Sequence, residues 1–290
     1  MIKNHYDLIV TTGCSHSCGM EMNDHLLPAA RTVKERETNI IQWCKSNYKL
    51  PEQDSNTLKD HAFEAWEDQE RKESWPTLLQ NTLNIPVVNL ARIGASTGRS
   101  LLDYSEYLTR SWEGKNTAVI HQIPAYGRMH MRFNREYGRI NMVPGHIGEI
   151  GFDKKYFSKE IKNIERKYRD AVTKDHYMET YHNKVLSRLS KLSRDRKITE
   201  FYIFEEPTHI FADNVILDSF TAFRNSYSKG TFGHINDAKF SSDLCELIIP
   251  YLEKKIHHHP FLYPQSGPPW PSSKPRLSLP VWSPYVSSPV

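Results

Sequence analysis

An apolar run, Asp7–Thr12 (DLIVTT), breaks into a turn of small residues, Gly13-Cys14-Ser15-His16-Ser17-Cys18-Gly19. A serine just beyond a strand of an open α/β sheet stands where such sheets bind ligands, outside the carboxyl ends of the strands. Lifted out of the sheet, its hydroxyl can attack a carbonyl while its own backbone N–H faces the developing oxyanion. A second run, Pro86–Ala91 (PVVNLA), leads into Arg92-Ile93-Gly94-Ala95-Ser96, and a glycine there lets backbone N–H groups approach a ligand closely. A third group, Gly233-His234-Ile235-Asn236, precedes the last helical segment. A histidine at a helix start on the same edge is a general base for a serine. Nucleophile, oxyanion donor and base are the parts of acyl transfer. Two other serine-bearing turns do not fit: there is no lysine for a phosphate-binding loop, and Ser17 stands where a Gly-x-Ser-x-Gly elbow has its second glycine.

The elements that must position these residues are legible as short apolar runs and longer helical ones. Strands are predicted at Asp7–Thr12, Pro86–Ala91, Thr117–Ile123 (TAVIHQI) and Glu200–Glu205 (EFYIFE). Helices are predicted at Trp75–Leu83, with Ser74 as N-cap and Pro76 in the first turn, and at Ser100–Trp112, Lys155–Arg194 and Ser241–Lys255. Strands alternating with helices predict a three-layer α/β/α fold around a central, mostly parallel sheet. Two stretches read as insertions: Asn23–Glu73, polar and helix-prone, and Gly127–Phe152, whose Arg128, Arg132, Arg135 and Arg139 read as a solvated loop. Residues 1–256 thus form one domain. Residues 257–290 hold nine of the 17 prolines and no acid, and read as an extended, poorly ordered tail.

Composition narrows the function classes. The chain has 290 residues, 38% hydrophobic and 11% aromatic, which is enough for a sizeable core and excludes a disordered or collagen-like chain. The 38 basic and 34 acidic residues leave a net charge of +4. Their interleaving, as in EIKNIERKYRD, marks solvated helix faces rather than a nucleic-acid surface. The four cysteines are too few and scattered for a disulfide framework or a zinc site. No apolar stretch approaches the ~20 residues of a membrane span and no leader-like segment opens the chain, so a soluble, cytoplasmic protein with no membrane partner is expected.

In order and spacing these residues resemble the SGNH (GDSL) hydrolase family. Gly13 to Gly19 matches its Gly-Asp-Ser-x-x-x-Gly block, with Cys14 in place of the aspartate, and Asn89 to Ser96 matches its Asn-Leu-Gly-x-x-Gly-Ala-Thr block. Ser74-Trp75-Pro76, Leu78-Leu79 and Ile85-Pro86-Val87 are phrased as in family members, and His234-Ile235-Asn236 before Leu244–Leu252 matches the last block. The resemblance implies a flavodoxin-like SGNH fold and a serine esterase or deacylase acting on an O-acyl ester of a carbohydrate or another small molecule. It implies Ser15 as nucleophile, His234 as base, and the N–H groups of Ser15 and Gly94 as oxyanion donors. His16, Asn89, Ser96, Tyr126 and Arg128 are the expected substrate-binding residues. No metal or organic cofactor is implied. Two positions depart from the family. The orienting acid three residues before the histidine is replaced by Thr231, which leaves Asp237, Asp218 and Glu206 as alternatives. The third-block asparagine is replaced by the segment around Gln122, whose amide is the expected substitute donor. Those departures also raise the alternative of a catalytically impaired SGNH-fold protein used for binding or assembly.

Overall fold

The architecture follows from five strands that carry apolar residues on both faces. In the computed structural model, the described residues are 5–14, 17, 26–48, 55–92, 95–124, 129–132, 139–143, 146–150, 177–205, 214–227 and 237–253. The central sheet contains β1 (Leu8–Thr12), β2 (Val87–Asn89), β3 (Thr117–Ile123), β7 (Thr199–Phe204) and β8 (Val215–Leu217), in the order β2-β1-β3-β7-β8. Every neighbouring pair is parallel. This is the flavodoxin-like order of a doubly wound sheet, whose switch point lies between β1 and β3.

Alternation along each strand assigns the two faces. Ile9, Ala118, Ile120, Phe201 and Ile203 point to one side, where they pack on Trp75, Leu79 and Leu83 of α3 (Trp75–Leu83). The same cluster takes in Phe220 of α6 (Phe220–Arg224), and Phe240, Leu244 and Ile248 of α7 (Ala238–Glu253). Leu8, Val10, Val119, Ile123, Tyr202 and Phe204 point to the other side, against α4 (Thr97–Arg110) and α5 (Tyr177–Arg194). Buried on both faces, these strands show the nearly continuous apolar runs typical of parallel sheets. The three-layer α/β/α expectation therefore holds, and the four strands and the helix at Trp75–Leu83 stand where they were read.

The differences are local. β8 was not foreseen, because a run of three residues is too short to separate from a loop. Ser74 does occupy the N-cap of α3, but its hydroxyl donates back to the Arg71 carbonyl at 2.6 Å instead of accepting from the helix. Within 23–73, α1 (Val33–Asn47) and α2 (Ser55–Lys72) form a hairpin with its own core of Ile40, Cys44, Ala62 and Trp66. α1 opens on a capping box between Thr32 and Glu35, and Arg36 pairs with buried Glu70 at 2.8 Å. The segment read as a solvated loop contains β4 (Met129–Arg132), β5 (Arg139–Val143) and β6 (His146–Ile150), a separate antiparallel sheet in which Arg132 stands opposite Arg139. The Pro-rich tail and residues 155–176 of the predicted long helix lie outside the described residues.

Candidate functional site

The carboxyl ends of β1 and β3 meet at the switch point, and there the first turn is tied down by side chains from both strands that flank β1. Gln122 of β3 is wholly buried and lies under the turn. Its Oε1 accepts from the Ser17 hydroxyl at 2.5 Å and from the Cys14 N–H at 3.4 Å, and its Nε2 donates to Cys14 Sγ at 3.4 Å. From the other side, Asn89 of β2 donates through Nδ2 to the Ser17 carbonyl at 2.8 Å. Asn89 Oδ1 accepts from the Ala91 N–H at 3.0 Å and from the Thr11 hydroxyl at 3.1 Å. The Ser17 N–H closes the turn onto the Cys14 carbonyl at 3.1 Å, and the Arg92 N–H reaches the Gly13 carbonyl at 3.2 Å. Gly13 is required by space: a Cβ there would stand 2.6 Å from Gln122 Oε1 and 2.7 Å from Ser17 Oγ. The serine turn thus rests on a fully satisfied polar floor at the point where such a sheet binds ligands.

The described candidates have the following places. Gln122, expected as an oxyanion donor, points its amide N–H at the Cys14 sulfur and its oxygen at two donors of the turn, so its visible work is to hold that turn. Asn89, expected to bind substrate, is likewise occupied by Ser17, Ala91 and Thr11. Ser96, also expected to bind substrate, is fully buried and caps α4, its hydroxyl accepting from the Arg99 N–H at 3.3 Å. Among the acids, Asp237 caps the start of α7 through the Lys239 N–H at 3.0 Å, and Asp218 is exposed at the end of β8. Ser15, His16, Gly94, Tyr126, Arg128, Glu206, Thr231 and His234 lie outside the described residues.

Three polar residues that the sequence reading passed over lie in the sheet or at its edge, two of them buried and Glu200 half-buried. On the α4/α5 face, the Thr12 hydroxyl and His121 Nδ1 are 2.9 Å apart, and His121 Nε2 lies 3.6 Å from Glu200 Oε1. The rings of Tyr104 and Tyr202 flank the imidazole at centroid distances of 5.2 and 5.6 Å. Burial alone would raise the Glu200 carboxyl. The His121 imidazole 3.6 Å away, with the hydroxyls of Ser193 and Ser190, outweighs it and leaves the group below its ordinary value. On the α3/α7 face, Glu205 follows β7 and is also buried. Its Oε1 accepts from the Thr221 hydroxyl at 3.2 Å and pairs with Arg224 at 3.1 Å, while its Oε2 has no hydrogen-bond partner. The signal for all three was available as polar residues inside runs buried on both faces (TAVIHQI, TEFYIFE), where a charge survives only with a partner.

Among the described residues, no group of three or more His, Cys, Asp or Glu side chains is arranged to hold a metal ion, and no helix is long and apolar enough to cross a membrane. Comparison with protein-family models, with curated proteins and with solved structures returns no match for this chain.

Proposed function

We propose that this protein is a serine esterase or deacylase of SGNH type, acting on an O-acyl ester of a glycan or another small molecule. The observation that carries the reading is the polar floor of buried Gln122 and half-buried Asn89 beneath the first turn, at the β1/β3 switch point of the parallel β2-β1-β3-β7-β8 sheet. A turn pinned on both sides of two residues, Ser15 and His16, suits chemistry that depends on holding an attacking group in place. In this reading Ser15 Oγ attacks the ester carbonyl carbon as His234 takes its proton. The N–H groups of Ser15 and Gly94 hold the oxyanion. The ester C–O bond breaks, the alcohol leaves with the proton from His234, and an acyl-serine remains. Water, deprotonated by His234, then releases the carboxylic acid and restores the serine. His16, Tyr126 and Arg128 are placed by this reading among the groups that meet the substrate. Soluble, cytoplasmic behaviour is part of the same reading.

The test is a fluorophosphonate probe, which forms a Ser Oγ–P bond and expels fluoride only at an activated serine. Mass spectrometry of the labelled protein is expected to locate the adduct on Ser15 and to find none in Ser15→Ala. Labelling that is absent from the folded wild type, or that persists in Ser15→Ala, refutes the proposal. The second reading, a catalytically impaired protein of the same fold used for binding or assembly, is favoured by one observation: the Gln122 amide N–H, the expected oxyanion donor, is given to Cys14 Sγ at 3.4 Å.

A further inference from the structure

We propose that Arg92 receives an anionic group of the ligand, a carboxylate or a phosphate, at the carboxyl edge of β1 and β2. Within the serine-esterase reading, on which this assignment of the substrate rests, the ester that is cleaved carries a negative charge.

The backbone sets Arg92 beside the first turn. Past the end of β2 the ladder to β1 continues: the Leu90 N–H donates to the Thr11 carbonyl at 2.8 Å, and the Arg92 N–H to the Gly13 carbonyl at 3.2 Å. Adjacent strands lie about 4.8 Å apart, so Arg92 is a direct neighbour of the turn that Gln122 and Asn89 hold. Val88 and Leu90 pack on the α4/α5 side of the sheet, and alternation carries Arg92 to that side, where it meets Asp103 of α4. The Ala95 N–H closes back on the Arg92 carbonyl at 3.1 Å, and Ser96 then caps α4. Arg92, the start of α4 and the first turn therefore share one edge of the sheet, the edge at which such sheets bind ligands.

The charges there do not balance. Asp103 is buried, and Arg99 alone satisfies it: Arg99 Nη2 donates to Oδ1 at 2.7 Å and Nε to Oδ2 at 2.9 Å, the two-pronged pairing of a guanidinium with a carboxylate. Arg92 adds a further bond, Nε to Oδ2 at 3.1 Å, so two cations share one anion and leave a net charge of +1. The first turn of α4 holds Arg99 and no acid, and it adds the partial positive charge of a helix N-terminus. A structural ion pair needs Arg99 only. The Arg92 side chain is 59% exposed against 12% for Arg99, and among the described residues only its Nε is engaged. Its two Nη groups thus form a fork of N–H donors that matches the paired oxygens of a carboxylate or phosphate, while Asp103 holds the guanidinium from behind.

The test is calorimetric titration of the full-length protein with inorganic phosphate and with succinate, at constant ionic strength, in the wild type, Arg92→Gln and Arg110→Gln. Arg110 is exposed at the far end of α4 and pairs with Glu106, so its loss removes the same charge away from the site. At least one of the two anions is expected to bind the wild type and Arg110→Gln alike, and Arg92→Gln about tenfold or more weakly, the loss that goes with one charge-assisted pair. Tighter binding of phosphate assigns a phosphoryl group, and tighter binding of succinate a carboxylate. No binding of either anion to the wild type, or a change in Arg92→Gln no larger than in Arg110→Gln, overturns the proposal. If Arg92→Gln does not fold, the NMR signal of the Arg92 guanidinium in the wild type decides: movement on addition of the anion supports the site, and an unmoved signal overturns it. The link to the substrate is read separately, as protection of Ser15 from the fluorophosphonate probe. Protection by the bound anion in the wild type and its loss in Arg92→Gln support an anionic ester, and labelling indifferent to saturating anion overturns it. A wild type that binds the anion but does not label removes the esterase reading and leaves the anion site. One that labels but binds no anion removes this proposal alone.

Discussion

Replacing Gly13 by alanine tests how tightly the turn is packed. Gly13 does not have a positive φ, so the cost of a side chain there is one of space. The added Cβ would stand 2.6 Å from Gln122 Oε1, 2.7 Å from Ser17 Oγ and 2.9 Å from Gln122 Cβ. Ordinary contact needs about 3.4 Å or more, so Gln122 and Ser17 must each yield by several tenths of an ångström. Gln122 cannot yield freely, since it is wholly buried on a central strand and its oxygen holds Ser17 at 2.5 Å. Overpacking of this kind costs about 1–3 kcal/mol, and weakening the Ser17–Gln122 bond adds about 0.5–1.5 kcal/mol. The expected loss is about 1.5–4.5 kcal/mol, a drop in Tm of roughly 3–18 °C for a domain of this size. Scanning calorimetry on the wild type and Gly13→Ala reads it directly. A Tm lowered by less than about 1 °C would refute the packing argument. Gly114→Ala is the control: nothing lies within 4 Å of its Cβ, and its φ of +75° limits the cost to backbone strain of about 1 kcal/mol.

Three further outcomes follow from the same structure. Glu200 has a folded pKa below its ordinary value, so its stabilisation is present above the unfolded pKa of about 4.3 and is lost as pH falls through the folded pKa. Urea unfolding from pH 7 downward should show this acid loss in the wild type and less of it in Glu200→Gln; parallel curves would contradict the pairing with His121. Burial pushes the Cys44 thiol up to about 11 and the Cys245 thiol up to about 12, so iodoacetamide at pH 8 should spare both in the folded protein and modify both after unfolding, as read by peptide mapping. Phe240 touches the rings of Phe220, Phe223 and Tyr227, and Phe240→Ala should lower stability by about 3–5 kcal/mol in chemical denaturation.

By itself the sequence determined the class of fold. Its short apolar runs, the helices between them and the small-residue turn after the first run are local signals, because alternation and helix periodicity are written within a few residues. Such signals weaken with length, which is why β8, with three residues, and the antiparallel strands β4 to β6 were not seen in advance. Only the tertiary structure decided what the polar residues of those strands do. Gln122, Asn89 and Ser96 were legible as polar groups near a site, but whether each faces a ligand, a turn or a helix end depends on partners distant in the chain. His121 meets Glu200, and Asn89 meets Ser17, because β1 takes β2 on one side and β3 on the other and β7 pairs with β3. A period of two tells which face a residue is on. Strand order and register tell which groups share that face, and no local pattern encodes them.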